Sequence, residues 1–184
     1  MRHSLEKSTG GYTLLETVMI VAIVGILCAI AAPSWLGFIT RLRLNAAQAE
    51  ALSVMREAQA GAKREKRVWE ACFRQNEIEK KVQWSVHREP SSNEAFCANA
   101  RWQNLIASDA DKIAIATSGN ARSTLLARNN MYRVQFNHKG RVNGQLGKIT
   151  FIARNQNNGS KRCVVVATLL GAIRTAGNNE CNGD

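Results

Sequence analysis

Residues 17–40 form an unbroken run of 24 amino acids without a charge, and no other feature of the 184-residue chain constrains its fate as strongly. As α-helix, at roughly 1.5 Å per residue, the run spans about 36 Å, enough to cross a hydrocarbon core of about 30 Å. It is too long and too evenly apolar to be one face of a surface helix. A buried core helix and a cleaved secretory signal are the alternatives. The apolar core of a secretory signal covers about 7–15 residues and ends at a small-residue site. Ala29-Ile30-Ala31 has that form, but Pro33-Ser34-Trp35-Leu36 continue the apolar stretch without a polar break.

The charge missing from this run is crowded into the remainder. Residues 41–184 hold 23 Lys or Arg and 12 Asp or Glu, which carries the whole formal charge of +11. A content of 45% apolar and 21% charged residues is that of a globular chain and excludes disorder as the main state. With 2 Pro and 13 Gly, collagen-like and low-complexity classes are excluded too.

What precedes the run is more specific. Residues 1–11 are short and polar, with Arg2 and Lys7, and end in Gly10-Gly11; Tyr12-Thr13-Leu14-Leu15-Glu16 then lead into the apolar stretch. This resembles the type IV prepilin signal: a basic leader, a Gly before the cut, an aromatic residue after it and a Glu four residues further on. The resemblance implies cleavage after Gly11 by a prepilin peptidase, N-methylation of Tyr12, and retention of the apolar segment as an inner-membrane anchor. Phe is commoner than Tyr at that position. Gly25 and Pro33 match the small residue and the kinking Pro of such helices. By the same resemblance Glu16 pairs with the cationic N-terminus of a neighbouring subunit during assembly.

Glu16 also has a local explanation. Thr13-Leu14-Leu15-Glu16 has capping-box spacing, with Thr13 as N-cap and Glu16 at the third helical position, where a carboxylate favours the positive end of the helix dipole. A carboxylate beside so long an apolar run is otherwise costly at membrane depth. Orientation is nearly a tie by positive charge, since Arg2 and Lys7 flank one end and Arg41 and Arg43 the other. The prepilin resemblance implies a cytoplasmic N-terminus and a periplasmic domain on a single-pass anchor, with incorporation into a pilus or pseudopilus.

From Arg41 to about Lys66 good helix formers dominate, with no Pro and only Gly61. Leu44, Ala47, Ala51, Met55, Ala58 and Ala62 recur at spacings of three and four, one apolar stripe. It is expected to lie on the chain's own β domain, with Arg43, Gln48, Glu50, Arg56, Glu57 and Gln59 mostly on the remaining surface. One helix is thus expected from Thr13 to Lys66, kinked near Pro33.

After Lys66 the period approaches two. Strands are predicted at 68–73, 81–87, 113–117, 132–137, 149–153 and 163–168, with a short last piece at 173–175. Turns are expected at His138-Lys139-Gly140 and at Asn157-Asn158-Gly159-Ser160. Residues 88–112 read as the least ordered part. Strands after a helix give an α+β fold with an antiparallel sheet. The organisation is a leader over 1–11, the membrane half of the helix over 12–40, its amphipathic half over 41–66 and a β-rich domain over 67–184.

The order of strands and turns over 132–175 resembles the GspH/FimT group of minor pilins and type II secretion pseudopilins. That resemblance implies partnership with other pilin or pseudopilin subunits. Some members bind DNA through a terminal Gly-Arg-x-Arg; here Gly171-Ala172-Ile173-Arg174 keeps only the Gly and the last Arg. From residue 100 onward there are 12 Lys or Arg against 4 Asp or Glu. Lys139, Arg141, Arg162 and Arg174 are the candidate contacts for double-stranded DNA if the turns gather them into a basic rim. Solvated surface charge, or contact with anionic lipid or acidic pilin neighbours, is the plainer reading.

Cys28 lies in the apolar run, while Cys72, Cys97, Cys163 and Cys181 fall in the domain expected to be exported, where disulfides persist. Four cysteines allow three connectivities. Cys72–Cys97 with Cys163–Cys181 closes two modest loops and staples the tail. No CxxC spacing occurs, and His87 and His138 are isolated, so no metal site is expected. No nucleophile elbow, P-loop or HExxH motif occurs. Asp109 and Asp111, and Ser91-Ser92, read as loop chemistry, and neither an enzyme nor a cofactor is expected. Three classes remain: a structural pilin or pseudopilin subunit, a DNA-binding minor pilin, and a plain signal-anchored envelope protein.

Overall fold

A computed structural model describes residues 11–89, 96–97, 100–154 and 159–183, with the backbone alone at 31–34. It divides into two compact units, 1–39 and 40–184. A single helix, α1 (Leu14–Glu65), contributes to both. Its start follows from Thr13, whose Oγ1 accepts the Glu16 amide at 3.3 Å, the N-cap bond that satisfies one orphan donor. It ends where Lys66 takes φ 53°, the left-handed step that closes many helices. Lys63 and Arg64 in the last turn suit the negative end of the dipole. The backbone is helical through Pro33; the side chains of 31–34, and the expected kink with them, lie outside the described residues.

In the first unit the apolar side chains are uncovered: Leu14 is 82% exposed, Val21 71% and Ile30 70%. The most apolar 18-residue window of the helix has a mean hydropathy of 2.6 and buries none of its surface.

In the second unit the helix is sealed against two antiparallel sheets. One has the order β3-β2-β1-β6-β5, the other β4-β7-β8-β9. The strands are β1 (Trp69–Asn76), β2 (Lys81–Arg88), β3 (Gln103–Asn104), β4 (Ile113–Ile115), β5 (Leu126–Arg128), β6 (Met131–Phe136), β7 (Gly147–Ala153), β8 (Lys161–Val166) and β9 (Ile173–Gly177). The whole stripe of Leu44, Ala47, Ala51, Met55, Ala58 and Ala62 is fully buried. It packs in one core with Phe73, Phe136, Ile149, Phe151 and Val164. Four alanines bring the helix backbone close to the sheets, and Gly61 goes further. A Cβ there would lie 2.7 Å from the Trp69 ring, so the ring occupies the space that makes Gly acceptable despite its cost of about 1 kcal/mol in a helix.

Several expectations need correction. Gln48, Glu50 and Gln59 are half-buried and bonded into the domain. The Gln48 amide donates to Cys163 O (2.8 Å) and Ala176 O (2.6 Å), and the Gln59 amide to Gly140 O (2.8 Å) and Gly171 O (2.9 Å). Glu50 accepts from Trp84 Nε1 and from the Ile106 amide, each at 2.8 Å. Arg43 pairs with Asp109 at 3.1 Å. Gln48, Glu50 and Gln59 flank the apolar stripe and bond backbone groups of the β domain. The segment 100–112 is packed and not loose: Leu105 and Ala110 are buried, and the Leu105 amide donates to Val82 O at 2.9 Å. Residues 90–95 and 98–99 of that region, and 157–158 of the expected turn, lie outside the described residues. Two short strands, β3 and β5, had no sequence signature of alternation. The β5–β6 turn did carry a sign: Asn129 and Asn130 have φ 51° and 59°, the positive values that two-residue hairpins demand and Asn tolerates.

Candidate functional site

The residues of interest at the N-terminus sit on the first turn of α1. Gly11 and Tyr12 precede the N-cap Thr13 in exposed, non-helical backbone. A Cβ at Gly11 would touch nothing within 4 Å among the described residues. Glu16 stands at the third helical position with its side chain exposed. Its amide is used by the cap and Thr17 Oγ1 donates to Leu14 O at 2.8 Å, while no ion pair holds the Glu16 carboxylate among the described residues. A carboxylate at this position favours the positive end of the helix dipole.

Two of the four basic candidates, Arg162 and Arg174, stand on opposite faces of one sheet. Along β8, Val164 and Val166 belong to the main core, whereas Cys163 and Val165 pack in a small second cluster with Ala176 and Cys181. Alternation therefore puts Arg162 on the helix side of the sheet. There its Nε donates to Asn45 Oδ1 at 2.6 Å and its Nη1 to Lys161 O at 2.9 Å. Arg174 pairs in register with Val165, and cross-strand partners share a face, so it stands on the opposite side. Exposed Arg174 lines a groove of about 480 Å³ together with Arg122 and Lys148. Lys148 is nearly buried and donates to Gly183 O. Lys139 and Arg141 are exposed on the turn after β6, where Asn137 Oδ1 accepts from both their amides, at 3.0 and 3.1 Å.

Gly171 has a structural reason to be glycine. Its φ is +89°, and a Cβ would lie 2.2 Å from Gly140 O and 2.5 Å from the Gln59 amide nitrogen. Glycine is required where two turns meet under Gln59. The Gly of the partial Gly-x-x-Arg match is thus explained without DNA, and Arg174 alone carries that likeness.

The disulfides are Cys72–Cys97 and Cys163–Cys181, with Cα separations of 6.1 and 5.9 Å, ordinary spacings for a bridge. Cys28 is free and exposed. The first bridge ties the 96–97 turn over the outer face of β1. There Glu70, fully buried, meets His87 Nε2 at 2.7 Å, Arg133 Nη1 at 3.3 Å and Gln135 Nε2 at 3.3 Å. Arg133 also lies over the Phe96 ring at 4.4 Å, and Arg74 over Trp102 at 4.3 Å. Sequence reasoning missed this cluster. Its sign was parity: Glu70 alternates with inward Ala71 and Phe73, and register sets it against His87 and Gln135. The ligand-capable atoms of Glu70, Cys72 and Cys97 lie within 4.8 Å of one another, but both sulfurs are consumed by the disulfide. The arrangement is a buried charge matched by its neighbours.

Elsewhere, ionisable groups follow simple partners. The Arg88 guanidinium bonded to Glu65 holds that carboxyl below its ordinary range, and the Lys112 ammonium does the same for Asp111. Burial pushes the Tyr132 phenol up.

No sequence model of a protein family matches the chain, and no curated protein matches it. Its structure is similar to that of the type IV minor pilin FimU of Pseudomonas aeruginosa. The TM-score is 0.51 at 14% identity over 76% of this chain and 92% of that one. A second crystal form of FimU gives 0.48 at 13% identity, over 72% and 92%. The resemblance in fold is independent of sequence at this identity, and it agrees with the architecture described above. The chain has the pilin fold, one long N-terminal helix packed on antiparallel sheets, as in a type IV minor pilin.

Proposed function

We propose that this chain is a minor pilin or pseudopilin: a structural subunit of a type IV pilus or type II secretion pseudopilus, assembled through its N-terminal helix. The observation that carries the reading is the exposure of the apolar side chains over 17–30 of α1, headed by a capped turn that presents Glu16. An apolar surface of that length is stable in water only when something else covers it. A bilayer covers it before assembly and neighbouring helices cover it after. On this reading a prepilin peptidase cuts after Gly11, Tyr12 becomes the methylated N-terminus, and Glu16 pairs with the N-terminal cation of an adjacent subunit. The protein then sits in the inner membrane as a single-pass anchor, N-terminus cytoplasmic and C-terminal domain periplasmic, until it joins a filament.

The test separates insertion from assembly. Glu16→Ala should leave membrane levels unchanged and remove the subunit from sheared filaments or pseudopilus fractions. Equal amounts of both proteins in those fractions would sink the pairing role.

A second reading, a DNA-binding minor pilin acting in uptake, is favoured only by Arg122 and Arg174 lining one groove. It requires binding of double-stranded DNA that falls steeply with salt and weakens in Arg174→Gln. Binding unchanged in that variant would remove the residue-specific basis of this reading.

A further inference from the structure

The domain begins where the uncharged run ends, and a basic groove lies at that point. Thr40, the last uncharged residue, lines a groove of about 400 Å³ with Arg43, Lys80, Asp111, Lys112 and Arg154. Four cations line it against two carboxylates, Asp111 in the lining and Asp109 bonded to Arg43. Arg43 is held by Asp109 at 3.1 Å and Lys112 by Asp111 at 2.7 Å. Arg154 is fixed by carbonyls alone, donating to Lys80 O at 2.7 Å, Asp111 O at 2.9 Å and Ile113 O at 3.1 Å. Neither Arg154 nor Lys80 makes an ion pair among the described residues. Three rigid carbonyl contacts thus hold a guanidinium in a groove that keeps a surplus of positive charge.

Next to Lys80 stands Ile78, 94% exposed. It is presented on the turn between β1 and β2, and its amide is bound to Asn76 Oδ1 at 3.0 Å. An isoleucine held outward on a tied turn, two residues from a cation, has the chemistry of a bilayer interface: an apolar tip beside a positive charge. Glu79 on the same turn is neutralised by Lys81 at 3.2 Å, leaving Glu77 as the opposing charge. Arg43 follows Thr40 by three residues, a helical rise of about 4.5 Å, which falls within a headgroup layer roughly 5–8 Å deep.

We propose that the groove formed by Arg43, Lys80, Lys112 and Arg154 binds an anionic phospholipid headgroup, with Ile78 entering the interface beside it. The site rests on the reading of residues 17–40 as a membrane anchor. It gives the anchored subunit a second, salt-sensitive hold on the bilayer that extraction into a filament has to release.

The full chain is placed in nanodiscs of phosphatidylcholine, or of phosphatidylcholine rich in phosphatidylglycerol, and amide hydrogen exchange is followed. In the anionic discs exchange at residues 77–81 and 109–113 should slow roughly tenfold. The effect should vanish in about 1 M salt and in the Lys80→Glu/Lys112→Glu variant, whose changed residues are exposed and outside the core. Inorganic phosphate or duplex DNA added to neutral discs should not reproduce it. Equal exchange in the two kinds of disc, or the same protection from phosphate or DNA, overturns the lipid site. If the chain fails to enter discs of either kind, the anchor fails and the site fails with it.

Discussion

Two stretches of one helix make opposite demands. Residues 17–30 are apolar on every side and exposed throughout, with no cover among the described residues. Residues 44–62 are apolar on one side only, and that side is fully buried. The difference lies in pattern more than in hydrophobicity. The second stretch uses alanines at contact positions and Gln48, Glu50 and Gln59 at the margins, so the sheets reach its backbone and their spare polar groups are answered. The first has no such margins. Lipid or other apolar helices suit it, a domain surface does not. A pilin-like helix is thus two solvent problems in series, one solved within the chain and one outside it.

The sharpest way to break this comparison is one substitution made in both stretches. Ala58→Glu puts a carboxylate into a fully buried contact and should cost more than about 4 kcal/mol, enough to unfold the β domain. Ala22→Glu should leave the domain's melting temperature unchanged and remove the protein from membranes. Thermal melts beside membrane fractionation check both, and similar melting of the two variants would end the distinction.

Reducing or deleting Cys163–Cys181 is next in size. The bridge closes a loop of 18 residues, worth about 3 kcal/mol of stability in the chain-entropy account. It should lower the domain's denaturant midpoint without touching anchoring. Gln59→Leu should cost about 1–3 kcal/mol, because it leaves Gly140 O and Gly171 O without their shared donor. A neutral result in denaturant titration would show that the helix margin is not where the two turns are held.

The smallest expected effect is electrostatic. Glu65, on the inner end of α1, has a folded carboxyl pKa lowered by its bond to Arg88. A depressed carboxyl stabilises the fold above the unfolded pKa, and that contribution is lost as pH falls through the folded value. Stability should therefore decline slightly more in acid for the wild type than for Glu65→Gln. Glu65 is half-buried but its partner Arg88 is exposed, so the difference should be small and salt-sensitive. Identical acid profiles would remove Glu65 from the account.

What was legible in the sequence follows the same division. Long signals read correctly as secondary structure: the helix through the charge-free run, the Leu44-to-Ala62 stripe, and strands such as β6 and β7, where Tyr132, Val134, Phe136 and Ile149, Phe151 alternate inward. Short elements did not. β3 has two residues and β5 three exposed ones, too few to show a period. The polar margins of the helix were hidden because Gln48 and Gln59 look like solvent residues until the carbonyls they serve, more than eighty residues away in sequence, come into place. The arrangement of the basic candidates was hidden for a different reason. Charge along a sequence does not reveal the face, and strand parity sends Arg162 and Arg174 to opposite sides of one sheet. Gly171 looked like half a motif and is explained by the close approach of two turns.

The central claim is that the apolar stretch is answered from outside the chain, in the manner of a processed pilin. Mass analysis of the N-terminus of protein isolated from cell membranes tests it most directly. The account predicts a chain lacking residues 1–11 that begins with N-methylated Tyr12. An intact leader, or a cut after the apolar run that releases the domain without it, would contradict it.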